Sequence, residues 1–177
     1  AGFRLDISSN TLGKKFKKDK LISWNQAEES FFKALETILE FVANDVDLYV
    51  ENNVFSIDNY ESFDGVNPFM MTTFDEYKKY SEIISFKPLL DVGHLKVSCQ
   101  SLNIKFEDEL RKFYEITDYI HLSDNDGKRD LNGPLIKDSD IYIFLQSNRD
   151  KQKDITLEIR NENNNLISSY ELLKTIL

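Results

Sequence analysis

Apolar residues recur at alternately helical and extended spacings along this chain, and that alternation restricts its fold more than any other property. From Ser23 to Val42 (SWNQAEESFFKALETILEFV), Trp24, Ala27, Phe31, Leu35, Ile38 and Val42 fall on one helical stripe, widened by Phe32 and Leu39. Ser23 and Gln26 have capping-box spacing at its start. DLYVE (Asp47 to Glu51) reads as a short strand, and Thr73 with Glu76 opens a second helix bearing Phe74, Tyr77, Tyr80, Ile83 and Ile84. KPLLD (Lys87 to Asp91) is the next strand, Phe106 to Ile116 the next helix, and DYIHL (Asp118 to Leu122) the strand after it. Ile141 to Gln146 is a short helix beginning near Ser139, DITLEI (Asp154 to Ile159) a further strand, and Ser168 to Leu177 a closing helix capped by Ser168 and Glu171. Strands separated by helices in this manner run parallel through crossover connections, so the chain is α/β.

Open doubly wound sheets and closed barrels both satisfy the alternation, and the placement of ionisable residues separates them. Glu51, Asp91, His121 and Glu158 each stand at or just before the carboxyl end of a different strand, 40, 30 and 37 residues apart, about one strand-and-helix unit each. In a (β/α)8 barrel these ends converge on one mouth, where catalytic residues come from several strands. The expected fold is therefore a (β/α)8 TIM barrel, with the apolar part of KPLLD filling its interior and Asp91 at the rim. A whole barrel takes roughly 250 residues. The 177 residues here predict a single partial domain, 1–177, with only about the last four to five βα units. Two unpaired edge strands would then need a partner, either the remaining half of the barrel as a separate piece or a second copy.

Three carboxylates and an imidazole form a hard, oxygen-rich ligand set suited to Mn²⁺, Mg²⁺ or Co²⁺, with Zn²⁺ also compatible. Without a cation the carboxylates would repel one another. Glu51 and Glu158, from well-separated strands, could address a bound molecule from opposite sides. One would remove a proton beside a carbonyl while the other returns it. His94, three residues beyond Asp91, would reach a substrate hydroxyl or the outer shell of the metal. Arg129, with Lys128 beside it, would hold a substrate phosphate or carboxylate.

The 31 acidic against 22 basic side chains, a formal net charge of −9, oppose a surface that holds a polyanion, so a nucleic-acid partner is not expected. Lys14, Lys15, Lys17 and Lys18 in LGKKFKKDK make a local basic patch that reads as a solvated loop, as does NENNN (Asn161 to Asn165). The lone Cys99 cannot form an internal disulfide and reads as a buried small hydrophobe. No apolar run approaches the ~18 residues of a membrane span, and AGFRLD has no signal pattern, which gives the cytoplasm as the expected location.

Taken together, YVENN, LLDVGH, YIHLSDNDG and ITLEIR resemble, in order and spacing, the motifs of the xylose isomerase-like TIM-barrel superfamily. That superfamily includes sugar epimerases and isomerases, inosose dehydratases and abasic-site enzymes of the endonuclease IV type. The resemblance runs over about residues 1 to 177, with AGFRLD similar to the tail of the family's fourth strand. It implies metal ligation by Glu51, Asp91, His121 and Glu158, acid/base roles for Glu51 and Glu158, and substrate contact by His94. Many members carry a D-x-H after the HLxD loop, where this chain has Asp130-Leu131-Asn132. Asn132 cannot replace an imidazole as a strong ligand, which counts against a multi-metal nuclease. The expected activity is a divalent-metal sugar or sugar-phosphate isomerase or epimerase. A metal-dependent hydrolase of the same fold, or a barrel without catalysis that serves as a binding module, are the alternatives.

Overall fold

A computed structural model describes residues 21–42, 46–160 and 162–176. AGFRLD, the lysines at 14, 15, 17 and 18, Asn161 and Leu177 lie outside the described residues. The elements, in chain order, are α1 (Trp24–Val42), β1 (Tyr49–Glu51), α2 (Ile57–Ser62), α3 (Phe74–Ser81), β2 (Lys87–Asp91), α4 (Val92–Leu102), α5 (Phe106–Ile116), β3 (Tyr119–Leu122), α6 (Asp140–Ser147), β4 (Asp154–Leu157) and α7 (Asn165–Lys174). No helix among the described residues is long and apolar enough to cross a membrane.

Local chemistry accounts for most helix starts. Ser23 and Gln26 form their expected reciprocal bonds before α1, the Gln26 amide donating to Ser23 Oγ and the Ser23 amide to Gln26 Oε1. Thr73 and Glu76 do the same at α3, and Ser139 Oγ caps α6. Ala27, Phe31 and Leu35 of the α1 stripe are buried, whereas Ile38 is exposed, as is Ile83 beyond the end of α3. The closing helix departs from expectation. It begins at Asn165 after a left-handed Asn164, with no side-chain cap. Ser168 lies inside its first turn and donates its hydroxyl to the Asn164 and Asn165 carbonyls.

The order of elements is also richer than a simple alternation, because two helices join β1 to β2 and two join β2 to β3. Residues 92–102, to which the sequence pattern assigns no element, form α4 directly after β2. Seven of its eleven residues are buried, so it has no polar face to give an amphipathic period. The small side chains Gly93, Ser98 and Ser101 allow that burial.

The four strands form one parallel sheet in the order β1-β2-β3-β4. Residues of α1, α3, α4, α5, α6 and α7 pack against one face of this sheet, the arrangement that right-handed crossovers between sequential neighbours produce. The register pairs Val50 with Pro88, Leu90 with Ile120, Ile120 in turn with Ile155, and Leu122 with Leu157, and this face is the apolar one. Leu90, Ile120 and Leu122 are fully buried in a core shared with Leu95, Leu110, Phe113 and Ile141 of the helices, each contributing roughly 1.5–3 kcal/mol. Val50 joins a second core with Phe31 and Leu35 of α1 and Tyr80 of α3.

Side chains alternate across a strand, so the opposite face carries Tyr49 and Glu51, Lys87, Leu89 and Asp91, Tyr119 and His121, and Thr156. This corrects the assignment of KPLLD. Its Leu90 packs against the helices, and of its apolar residues only Leu89 shares the opposite face with Asp91. That opposite face is largely polar and aromatic rather than apolar: Tyr49 meets Tyr119 edge-on, and the Tyr119 hydroxyl bonds Thr156 Oγ1 at 2.8 Å. Cys99 is buried, as its isolation suggested.

Candidate metal centre

The carboxyl ends of the four strands bring their ionisable residues together. β1 and β2 end on Glu51 and Asp91, His121 is the penultimate residue of β3 and pairs in register with Asp91, and Glu158 follows β4, its amide still bonded to the Leu122 carbonyl at 3.1 Å. Because the pleat points all four the same way, one ligand atom from each of Glu51, Asp91, His121 and Glu158 lies within 4.8 Å of the others. His121 Nδ1 is 3.1 Å from Glu51 Oε1 and 3.0 Å from Glu158 Oε1. Beneath it on the same face, Tyr119 packs perpendicular to the imidazole with ring centroids 5.4 Å apart.

Asp91 has two tasks. One carboxylate oxygen, Oδ1, accepts the His94 amide at 2.7 Å and so caps α4, which is why the helix can begin without a loop. Gly93 makes that start sterically feasible. A Cβ there would stand 2.4 Å from Ser123 Oγ and 3.2 Å from Asn125 Nδ2, so only glycine lets the first turn of α4 approach the end of β3. Asn125 Nδ2 then donates to the Gly93 carbonyl at 2.9 Å.

His94 lies beside the cluster. Its Nδ1 donates to the Asn52 carbonyl at 3.0 Å, and its Nε2 is 3.3 Å from Asp130 Oδ2 and 3.9 Å from Asp91 Oδ2. Burial opposes a charge on this ring, but the bond to Asp130 and the charges of Asp91 and Asp130 outweigh it and raise the pKa to about 10. These surroundings favour the protonated ring. Burial pushes the Asp91 carboxyl up to about 6. His94 offsets part of that rise, while Glu51 and Asp130 add to it.

These observations fit a divalent cation. Three carboxylates share one small region, the most buried of them is held well above its ordinary pKa, and a hard ion would supply the missing positive charge. The donor set suits Mn²⁺, Mg²⁺, Co²⁺ or Zn²⁺ without selecting among them.

Arg129 is turned elsewhere. It is exposed, and its Nε is 3.3 Å from Asp58 Oδ2 of α2. Lys128 is also exposed; its carbonyl accepts the Ile57 amide. The loop bearing both is closed by paired backbone bonds between Asp124 and Gly133, where a Cβ on Gly133 would meet the Asp124 oxygen at 2.8 Å. Asn132 sits at φ +47° and its carbonyl accepts the Arg160 amide. Its position serves the turn, for which asparagine is well suited.

Two participants were not singled out by sequence reasoning. Asn52 was visible only as the first asparagine of YVENN, and Asp130 only as the first residue of the D-x-N stretch. A cavity of about 480 Å³ between α5 and α6, lined by Phe106, Leu110, Ile143 and Phe144 among others, shares no residue with the cluster.

A parallel α/β sheet with an acid-and-imidazole cluster across its strand ends is thus the class of structure in hand. Its fold is similar to that of a solved structure titled "Crystal structure of D-tagatose 3-epimerase-like protein", which aligns with a TM-score of 0.65 and 14% identity, over 98% of this chain and 58% of that one. The chain therefore spans less than two thirds of this neighbour's length. No family model matches the sequence, and no curated protein matches it.

Proposed function

We propose that the chain is the metal-bearing part of a sugar or sugar-phosphate isomerase or epimerase of the xylose isomerase-like superfamily. The observation that carries this reading is the convergence, within 4.8 Å, of Glu51, Asp91, His121 and Glu158 from four consecutive parallel strands. Those four residues would hold a divalent ion, which when bound supplies Lewis-acid polarisation of substrate oxygens. Glu51 and Glu158, from the outer strands β1 and β4, divide the proton transfers. One carboxylate takes the proton from the carbon beside a carbonyl, and the other, as the acid, returns a proton to the opposite face or the neighbouring atom. His94, held as a cation by Asp130, presents positive charge toward the site, where it favours anionic or hydroxyl oxygens of the substrate.

The same reading makes the sheet an arc of a TIM barrel. Support comes from the sequential strand order, the packing of α1, α3, α4, α5, α6 and α7 on one sheet face and the polar character of the other face. Among the described residues, β1 and β4 each have one strand neighbour. Further strands, from another length of chain or a second copy, would cover them. A monomer of this 177-residue chain that melts cooperatively and exposes both edges to exchange would count against closure.

The function is tested by metal analysis and isotope exchange. Purified protein should take up about one equivalent of Mn²⁺ or Co²⁺, and the loaded protein should move solvent deuterium into a ketose or ketose phosphate. Glu158→Gln should slow that exchange about 10²–10⁴-fold, the range of a general acid or base. Unchanged exchange in both Glu51→Gln and Glu158→Gln would refute the two-carboxylate chemistry. Metal uptake with no exchange across a panel of sugars would favour a binding module, and nicking of abasic DNA a hydrolase.

A further inference from the structure

Resting on the metal reading above, we propose that Asn52 is a positioning residue that locks Glu51 and Asp91 into register for a shared cation. β1 is three residues long, and its last ladder pair is Glu51 with Leu89, two residues short of Asp91. The backbone pairing of β1 with β2 therefore stops at Leu89 and does not reach Asp91. Asn52, only 1% exposed, supplies the link to Asp91. Its Oδ1 accepts the Asp91 amide at 2.7 Å, and its Nδ2 donates to the Asp91 carbonyl at 3.0 Å. The side-chain amide thus takes both backbone groups of one ligand, as a neighbouring strand would.

The backbone of Asn52 extends the same grip. Its amide donates to the Leu89 carbonyl at 3.3 Å, and its carbonyl accepts His94 Nδ1 at 3.0 Å. Four bonds from one residue, which itself follows Glu51 in sequence, therefore reach β2 and the first turn of α4, three of them ending on Asp91 or His94. Only an amide of this length presents one donor and one acceptor to a single residue's backbone. Aspartate has no donor, and alanine or serine cannot span both groups. A residue that merely filled space would not need that pairing. Partners that orient metal ligands in this way typically contribute 10–100-fold to metal affinity.

The test compares Asn52→Ala and Asn52→Asp with Asn59→Ala, which removes another buried asparagine whose bonds serve the α2 capping box with Ser56. All three should lower Tm. Co²⁺ titrated into each protein should bind about 10–100-fold more weakly in the two Asn52 variants, with an altered Co²⁺ absorption band, and within about twofold of wild type in Asn59→Ala. The chain has two histidines, so ring resonances of His94 and His121 report on the metal-free site directly. Both should shift in Asn52→Ala and hold still in Asn59→Ala. Wild-type Co²⁺ affinity in Asn52→Ala, or an equal loss in Asn59→Ala, overturns the inference. If wild type takes no Co²⁺, the metal reading falls by itself. The histidine spectra then decide Asn52: shifts confined to its variants sustain the positioning role, and unchanged spectra end it.

Discussion

Replacing Asp91 by asparagine should make the metal-free protein more stable at alkaline pH while weakening the cation binding proposed above. Asparagine and aspartate cap helices equally well, and the amide oxygen of an asparagine at this position can still accept the His94 N–H that now bonds Asp91 at 2.7 Å. What changes is the charge. Asp91 is 1% exposed, and burial raises its carboxyl from 3.8 to about 6. Below pH 3.8 the group is neutral in both folded and unfolded chains, so the substitution gains nothing there. As pH rises from that value through about 6, the folded protein must ionise a buried group that the unfolded chain ionises freely, and stability is lost over that window. At about 1.36 kcal/mol per pH unit the loss is about 3 kcal/mol. This is an upper figure for the gain from asparagine, because His94 loses one of its anionic neighbours. For a domain of this size it corresponds to about 6–12 °C in Tm. Thermal and urea melts in chelator, at about pH 8 and again below pH 4, measure it. A destabilised Asp91→Asn protein under the alkaline condition, or an equal gain under the acidic one, would refute the reasoning.

The same carboxyl sets the pH response of the site. An ion must displace its proton below about pH 6, so Mn²⁺ affinity measured by calorimetry should fall about tenfold per pH unit in that range and level off above it. Gly93→Ala should destabilise by about 1–3 kcal/mol through the 2.4 Å contact with Ser123 Oγ. Because that oxygen has no hydrogen-bond partner among the described residues, Ser123→Ala should restore most of the loss in the double variant, as read by denaturant midpoints. Arg129→Ala removes an exposed pair with Asp58 and should change stability by less than about 1 kcal/mol. If Arg129 swings to a substrate phosphate, KM for a phosphorylated sugar should rise while that for the free sugar holds.

How far the structure was legible in the sequence depended on what each residue had to signal. α1 and α5 announced themselves because one side of each faces water, leaving an apolar stripe. Glu51, Asp91, His121 and Glu158 could be picked out because an ionisable residue at the end of an apolar strand is conspicuous, and the strands were spaced as regular units. α4 gave no such signal, because a helix buried on nearly all sides has no polar face to set its period. The facing of KPLLD was equally hidden: with Leu89 and Leu90 adjacent, the composition does not say which leucine meets the helices, and only the register with Ile120 decides it. Asn52 and Asp130 act through backbone and through His94, contacts made across 39 and 36 residues of chain, which no local pattern encodes. Ser168 shows the opposite failure, a well-formed cap signature overruled when the helix began three residues earlier at Asn165.

Glu51 and Glu158 stand 107 residues apart in the chain and at the carboxyl ends of the two outermost strands of the described sheet. An ion held by both acts as a cross-link that fastens the sheet from edge to edge, and ties spanning long loops remove the most freedom from the unfolded chain. β2 and β3 have a neighbour on either flank, whereas β1 and β4 have one each among the described residues. If the proposed ion is bound, its removal should fray the margins before the centre, and hydrogen exchange would record that as early opening of Tyr49–Glu51 and Asp154–Leu157.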